Sequence, residues 1–302
     1  MLEEQQQSTD NNNNNDGSTP ENTFVNLKRI IAIDGKDVRG LQAHTGEVLN
    51  VVSVQDIGLG ITMSTEMGLG KGQEIEMVRN VLNTLNLKEC VITLDALHCQ
   101  SETINTLVKQ KATALIQVKA NQGKLHESID AQFQDLWSLP ESEQGAAKEE
   151  STEHGRNEQR DAYVLPIKLN DKLLKKWPHL NTAIAIVRDR QVKGKIGTYS
   201  TSYYVCTSEI TAEEALKIVR QHWGIENKLH WVLDVTLKED QSAVHDRIAA
   251  KNLASLRRVT LNLLRVTPLL EKKKEAPMTA KMMKAVFDIN FRESVILNLA
   301  RG

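Results

Sequence analysis

The sequence predicts an α/β fold in which a mixed β-sheet is flanked by helices. Three strand-like segments come first, strands and helices then alternate, and the chain is largely helical from Thr211 onward. An early meander followed by alternating strands and helices is typical of a mixed sheet covered by helices. Forty per cent of the 302 residues are hydrophobic, so a sizeable core can form.

The first predicted strand is the continuous β-branched run that precedes Asp34, a pattern that favours burial. Its expected antiparallel partners lie at 49–56 and 60–67. Apolar residues at helical spacing predict a helix over 71–86. The elements expected next are a strand over 90–97, a helix over 101–110, a strand over 113–120 and a helix over 124–137.

The second half of the chain has a different pattern. A polar stretch over 140–154 precedes alternating residues over 157–207, which indicate a β-rich segment. Thr211, with Glu214 three residues later, predicts the N-cap of a helix. We therefore expect one domain over 28–302, with a β-rich insertion at about 121–207.

Residues 1–27 are expected to be a disordered tail. Glutamines and the run of asparagines from Asn11 to Asn15 leave almost nothing apolar to bury. No apolar run reaches the length of a membrane helix and no secretory signal pattern is seen, so a cytoplasmic protein is expected. The three cysteines lack zinc-ligand spacing, and the formal net charge of -1 neither indicates nor excludes a nucleic-acid partner.

Two aspartates follow apolar runs that predict buried strands. Asp34 comes after residues 31–33, and Asp95 comes after residues 91–94. Burying an ionised carboxylate costs several kcal/mol unless it is paired or binds a metal. One interpretation is therefore that both bind a divalent ion. The other is that each caps a turn, since Asp-Gly is a common turn dipeptide.

A third carboxylate, Glu226, falls in the predicted helix over 213–235. Its spacing from Trp223 places it close to the apolar stripe of that helix. A salt bridge with Arg220 or Lys228 is the structural interpretation. The functional one is that three carboxylates form the oxygen-rich ligand set that Mg²⁺ prefers, which suits two-metal phosphodiester chemistry.

Five motifs together resemble the H-repeat-associated transposases, the ISAs type of insertion-sequence enzyme in the DDE superfamily. In chain order they are IAIDGKDVRG, ITLDALHCQ, QVKANQGKLHESI, EHGRNEQR and RQHWGIENKLHWVLDVTLKED. The resemblance runs from about Arg29 to near the C-terminus. It implies an RNase H-like catalytic domain whose sheet carries a β-rich insertion before the last catalytic helix.

The resemblance also implies an activity and a site. The activity is metal-dependent cleavage and strand transfer of DNA at insertion-sequence ends, with Mg²⁺ or Mn²⁺ as cofactor. Asp34, Asp95 and Glu226 are the implied catalytic and metal-binding residues. The implied partners are transposon-end DNA, target DNA and a second copy of the chain in a synaptic complex. The resemblance implies no membrane contact, and it implies that the protein associates with the nucleoid when it acts on DNA.

Ten residues are predicted to contact DNA: Lys36, Arg39, Lys119, Asn121, Arg156, His222, Arg247, Lys251, Arg258 and Arg265. The last four fall near one face of a predicted helix over 246–265, which we expect to face DNA. Ile248, Leu256, Val259 and Leu263 are expected on the other side of the helix. Trp223 and Trp231 are expected in the core.

A second functional hypothesis remains open. Members of the resembling family carry a helical region before the first aspartate, where this chain has its asparagine-rich tail. The chain would then be a truncated relic that folds, and binds DNA or a full-length transposase, without mobilising DNA. All three carboxylates are present, which favours the enzyme. A cation-dependent nicking assay separates the two hypotheses.

Overall fold

The computed structural model describes residues 29–70, 72–153, 156–192, 196–271 and 274–298. The tail predicted at 1–27 lies outside the described residues. In this part of the chain, one large mixed sheet is flanked by helices, as the sequence predicts. No helix within it has both the length and the apolar composition needed to cross a membrane.

The large sheet has nine strands in the described residues. They are β1 (Arg29–Val38), β2 (Leu49–Asp56), β3 (Ile61–Leu69), β4 (Cys90–Leu94), β5 (Thr113–Val118), β6 (Ala147–Glu153), β7 (Arg156–Pro166), β8 (Thr182–Val192) and β9 (Thr198–Cys206). Their spatial order is β3-β2-β1-β4-β5-β9-β8-β7-β6. The β1–β4 and β4–β5 pairs are parallel, and the other pairs are antiparallel.

The α-helices of the described residues are α1 (Arg39–Thr45), α2 (Glu74–Thr84), α3 (Ser101–Lys109), α4 (Gly123–Trp137), α5 (Asp171–Lys176), α6 (Ala212–His222), α7 (Trp231–Val235), α8 (Arg247–Val266), α9 (Met278–Phe287) and α10 (Ile289–Leu297). A π-helical turn, Glu226–His230, connects α6 to α7. A small hairpin, β10 (Leu270–Glu271) with β11 (Lys274–Glu275), follows α8.

The two faces of the sheet bury different helices because successive side chains of a strand point to opposite faces. Ile31 and Ile33 of β1 belong to the cluster that includes the buried residues of α2, α3 and α4. Ala32 belongs to another cluster, with Ile225 and Leu229 from the segment after α6. Alternate residues of β1 therefore reach two separate helical layers.

Strand β6 was not expected. The sequence predicted a polar stretch over 140–154 without a strand, but Ala147–Glu153 of this stretch pairs with β7. The strand AKEESTE has no apolar alternation to reveal it. It lies at the edge of the sheet, where charged residues discourage pairing with another chain.

Strands β4 and β5 are shorter than their neighbours at the carboxyl edge of the sheet. Beyond them β1 continues to Val38, paired with β2. On the other side, β9 pairs with β5 only as far as Tyr203, and its start at Thr198 reaches five residues, or roughly 17 Å, further. The edge therefore contains a notch, defined as the space beyond the ends of β4 and β5, with β1–β3 as one wall and β7–β9 as the other.

Candidate active site

Asp34 and Asp95 lie side by side on the floor of the notch. Ala32 pairs with Thr93 in the parallel β1–β4 ladder, and each aspartate comes two residues later. Asp34 is held within β1 because that strand continues, whereas Asp95 is the first residue beyond β4. The predicted positions of both residues are therefore confirmed, and their catalytic role stays a prediction.

Glu226 begins the π-helical turn that packs beside these aspartates. Its neighbour Ile225 is fully buried in the cluster that contains Ala32, but Glu226 itself is exposed. It makes no ion pair with a described residue. Arg220, the partner that the structural interpretation offered, bonds to Glu149 instead.

Two histidines contact the floor of the notch. Nε2 of His230 lies 3.3 Å from Oδ2 of Asp34, but without hydrogen-bond geometry. His222, at the end of α6, brings Nδ1 to 2.9 Å from the hydroxyl oxygen of Thr93. His222 is therefore hydrogen-bonded to β4, the strand that ends just before Asp95. A direct DNA contact by this residue stays a prediction.

The carboxylates perturb one another. Burial, and then the charges of Asp34 and Glu74, raise the pKa of Asp95, while His98 opposes the shift. Burial and the charge of Asp34 likewise raise the pKa of Glu226. The apo site thus concentrates negative charge that a cation would relieve.

The donor set has the chemistry of a divalent-cation site, because carboxylate oxygens are the ligands that Mg²⁺ and Mn²⁺ prefer. Among the described residues, however, no three acidic, histidine or cysteine side chains are close enough to hold one ion. Asp34, Asp95 and Glu226 therefore share one notch without forming a closed set of ligands.

Lys36 is held in ion pairs with the protein itself, and its predicted DNA contact stays a prediction. Its ammonium lies 2.7 Å from Asp234 and 2.8 Å from Asp240, with Glu239 at 3.5 Å. Burial alone would lower the pKa of Lys36, but the hydrogen bonds to the two aspartates outweigh it and raise that pKa. The lysine attaches the segment after Glu226 to β1, two residues beyond Asp34.

The four basic residues predicted on α8 do not share one exposed face, because Arg258 and Arg265 pack against the rest of the protein. Arg258 is 2% exposed and bonds to the fully buried Glu239. Arg265 is half-buried and donates to the carbonyls of Gly60 and Lys228. Two of the residues expected on the other side of the helix are exposed, Ile248 at 71% and Leu256 at 60%.

The other two basic residues of α8 predicted to contact DNA are not buried in this way. Arg247 is exposed and forms a bidentate ion pair with Glu47, and Lys251 is half-buried. Their predicted DNA contacts stay predictions.

Four predicted DNA contacts lie at the carboxyl edge of the sheet. Arg39 follows β1 and its side chain is 80% exposed, although its backbone N–H donates to Asp240. Lys119 is exposed directly after β5, and Asn121 donates to the carbonyl of Ala96 just beyond Asp95. Arg156 is exposed at the start of β7, on the opposite wall of the notch.

The tryptophans near Glu226 are not core residues, so that prediction is wrong. Trp223 is 44% exposed and Trp231 is 56% exposed. The apolar stripe of the predicted helix included Trp223, but this residue is the C-cap of α6. Trp231 follows the π-helical turn, which has more residues per turn and changes the phase of the helix.

Sequence reasoning missed two residues behind Asp95. Nε2 of His98 lies 3.1 Å from Oε1 of Glu74 and 3.7 Å from Oδ1 of Asp95. His98 lies within the LDALHCQ motif, which was the available signal. Glu74 had none, because it lies 21 residues before Asp95 in a helix with ordinary amphipathic spacing.

Comparison with known proteins supports the resemblance. The profile of the Transposase DDE domain family matches residues 26–263. The chain is 32% identical over 280 residues to "Putative protein YbfL" of Escherichia coli K12, covering 90% of this chain and 72% of that protein. It is 31% identical over 278 residues to the "H repeat-associated putative transposase YhhI" of the same organism, covering 89% and 71%.

A further relative is "Putative transposase YncI" of Escherichia coli O157:H7, at 33% identity over 246 residues. That alignment covers 78% of this chain and 62% of the relative. The profile covers more than half of the chain, and the expected mixed sheet flanked by helices is present. The chain therefore belongs to the Transposase DDE domain family, among relatives named H-repeat-associated transposases.

Proposed function

We propose that this chain is the catalytic domain of a DNA transposase that cleaves and rejoins DNA at insertion-sequence ends, with Mg²⁺ or Mn²⁺ as cofactor. The observation that carries the proposal is the position of the three carboxylates. Asp34 and Asp95 come at the same level of two adjacent parallel strands, and Glu226 packs beside them. Membership of the transposase family supports the same chemistry.

The three carboxylates would hold the cation, which when bound supplies electrophilic activation of the scissile phosphate. Asp34 is fixed within β1 by its pairing with Ser53 of β2, so it sets where the charge lies. Asp95 and Glu226 lie off the strands and can adjust to the phosphate. None of the three need act as a covalent nucleophile.

The DNA backbone would run along the carboxyl edge of the sheet. A groove of about 830 Å³ begins there, at the start of α4, and Asn121, Lys124, Lys172 and Lys176 are among the residues that line it. Lysines bind phosphate as point charges, which makes binding dependent on salt. Arg39, Lys119 and Arg156 extend this surface into the notch. Transfer of two transposon ends would require a second copy of the chain.

The decisive experiment uses a supercoiled plasmid that carries the gene's own flanking DNA. Nicking by the full chain is expected with Mg²⁺ or Mn²⁺ and not with EDTA. Asp34→Asn, Asp95→Asn and Glu226→Gln should each lose roughly a thousandfold or more in rate while still binding DNA. Glu76→Gln, an exposed acid of α2, is the matched control and should keep full activity.

The truncated relic is the competing proposal. The open arrangement of the three carboxylates is the observation in its favour. If the wild-type chain binds the flanking DNA but does not nick it at any cation concentration, the enzyme proposal fails and the relic replaces it.

A further inference from the structure

A carboxylate that the proposed mechanism does not use lies directly behind the site. Glu74 is in the first turn of α2, and its side chain is only 21% exposed. Its carboxyl group fills the space that a Cβ on Gly35 would occupy, with all three carboxyl atoms less than 3 Å from that position. Gly35 is the residue after Asp34, so a side chain at this position would displace the carboxyl end of Glu74.

Glu74 and the active-site aspartates approach from opposite faces of the sheet. Gly35 faces α2, since Ile31 and Ile33 do so, whereas Asp34 faces the segment that carries Glu226. Glu74 is therefore placed to support the site from behind.

His98 connects Glu74 to Asp95 around the end of β4. It is 1% exposed, in the short 3-10 turn after that strand, and its Nε2 faces both carboxyl groups. Its Nδ1 is buried and has no hydrogen-bond partner in the described residues. Because Nε2 is within hydrogen-bond distance of the Glu74 carboxylate and Nδ1 has no partner, we place the proton on Nε2, where it donates to Glu74. The Asp95 oxygen, at 3.7 Å, is a charged neighbour of the ring and not a hydrogen-bond acceptor.

We propose that Glu74 is a positioning residue of the cation site: it accepts from the Nε2–H of His98 and so fixes the imidazole ring 3.7 Å from Asp95, where the ring limits the position of that carboxylate. This inference rests on the proposed function, because it takes Asp95 to be a cation ligand. Asp95 needs such support more than Asp34 does, since it lies beyond the last ladder pair of β4. A carboxylate–histidine pair behind a ligand typically improves metal affinity 10- to 100-fold.

The test measures Mn²⁺ binding by electron paramagnetic resonance in the full chain without DNA, alongside nicking. Glu74→Ala should weaken Mn²⁺ binding about tenfold and raise the Mn²⁺ concentration for half-maximal nicking by the same factor. Glu74→Gln keeps an oxygen that accepts from Nε2, so its affinity should stay within about threefold of the wild type. Glu76→Ala, with the same loss of charge on the same helix turn, should change nothing.

A double-mutant cycle tests whether Glu74 acts through His98. His98→Leu removes the donor and keeps the bulk, and its effect should not add to that of Glu74→Ala. Additive losses would overturn the route through His98, as would a Glu74→Gln variant as weak as Glu74→Ala. All variants are compared at equal helical content by circular dichroism.

The result also separates this inference from the proposed function. If Glu74→Ala binds Mn²⁺ as tightly as the wild type while nicking persists, the positioning role alone fails. If the wild type binds Mn²⁺ and shows these differences but never nicks DNA, the transposase activity alone fails. A wild-type chain that binds no Mn²⁺ overturns both.

Discussion

At the scale of single residues, the ionised carboxylate of Asp95 lowers the stability of the folded protein. Burial and the charges of Asp34 and Glu74 raise its pKa, so the unbound site would be more stable with a neutral group there. Asparagine keeps the side-chain oxygen that accepts from the N–H of Leu97. In EDTA at pH 7 we therefore expect Asp95→Asn to raise the melting temperature by about 1–3 °C, while abolishing nicking.

The stability gain from Asp95→Asn should depend on pH, and this dependence provides the control. A carboxyl group whose folded pKa is raised contributes stability below its unfolded pKa and loses that contribution as pH rises through the folded value. The gain from Asp95→Asn should thus be largest at neutral pH and vanish near pH 3.5, where the wild-type residue is also protonated. Thermal unfolding at both pH values measures it, and equal gains would refute an electrostatic origin.

Gly35 gives a second prediction at this scale. Gly35→Ala should destabilise the fold by less than about 1 kcal/mol, because the added methyl group displaces only the carboxyl end of Glu74, the far end of a flexible side chain. In a Glu74→Ala background the same change should cost much less, since the space is then free. Urea unfolding of the four proteins measures this coupling, and equal costs in both backgrounds would contradict it.

At the scale of the element, α8 buries a charged side chain on one face and exposes apolar side chains on the other. Arg258 lies inside, with Glu239, and Leu256 lies outside. Arg258→Met leaves the carboxylate of Glu239 buried without its main partner and should cost about 3–5 kcal/mol in the free energy of unfolding. Leu256→Gln should stay within about 0.5 kcal/mol. The reverse ranking in urea unfolding would show that the two faces are misassigned.

Helix α8 also shows which part of the fold the sequence pattern could not predict. The apolar run that forms the first half of β1 was predicted as a strand, and β4 and β5 were predicted with ends within three residues of those observed, because continuous apolar runs favour a buried strand. The positions of Asp34 and Asp95 followed from those strands. In α8 the spacing separated two faces correctly, but which face is buried depends on Glu239, a partner that the spacing does not reveal.

At the scale of the whole molecule, the notch has basic residues on both walls. Arg39 follows β1 and Arg156 starts β7, so they lie on opposite sides of the β4 and β5 ends. The walls at β1 and β9 are three strand spacings apart, roughly 14 Å. A DNA strand that reaches the aspartates would pass between these two arginines.

Replacing both arginines tests this path. The Arg39→Gln, Arg156→Gln double variant should weaken binding of the flanking DNA and lower the slope of log affinity against log salt by about 2, one for each phosphate that the protein no longer neutralises. Lys109→Gln, an exposed residue at the end of α3 and near the opposite edge of the sheet, is the control. An unchanged slope in the double variant would remove the notch from the DNA path.

The geometry of the site depends on the number of residues in the π-helical turn at Glu226–His230. Deleting one residue there would let a regular α-helix form and would rotate everything downstream by about 100°, carrying Asp234 away from Lys36. Substitution of the exposed Asn227 leaves the phase unchanged. The exposed residues of this turn can therefore be exchanged one at a time, but an insertion or deletion there reorients every later residue of the helix in one step.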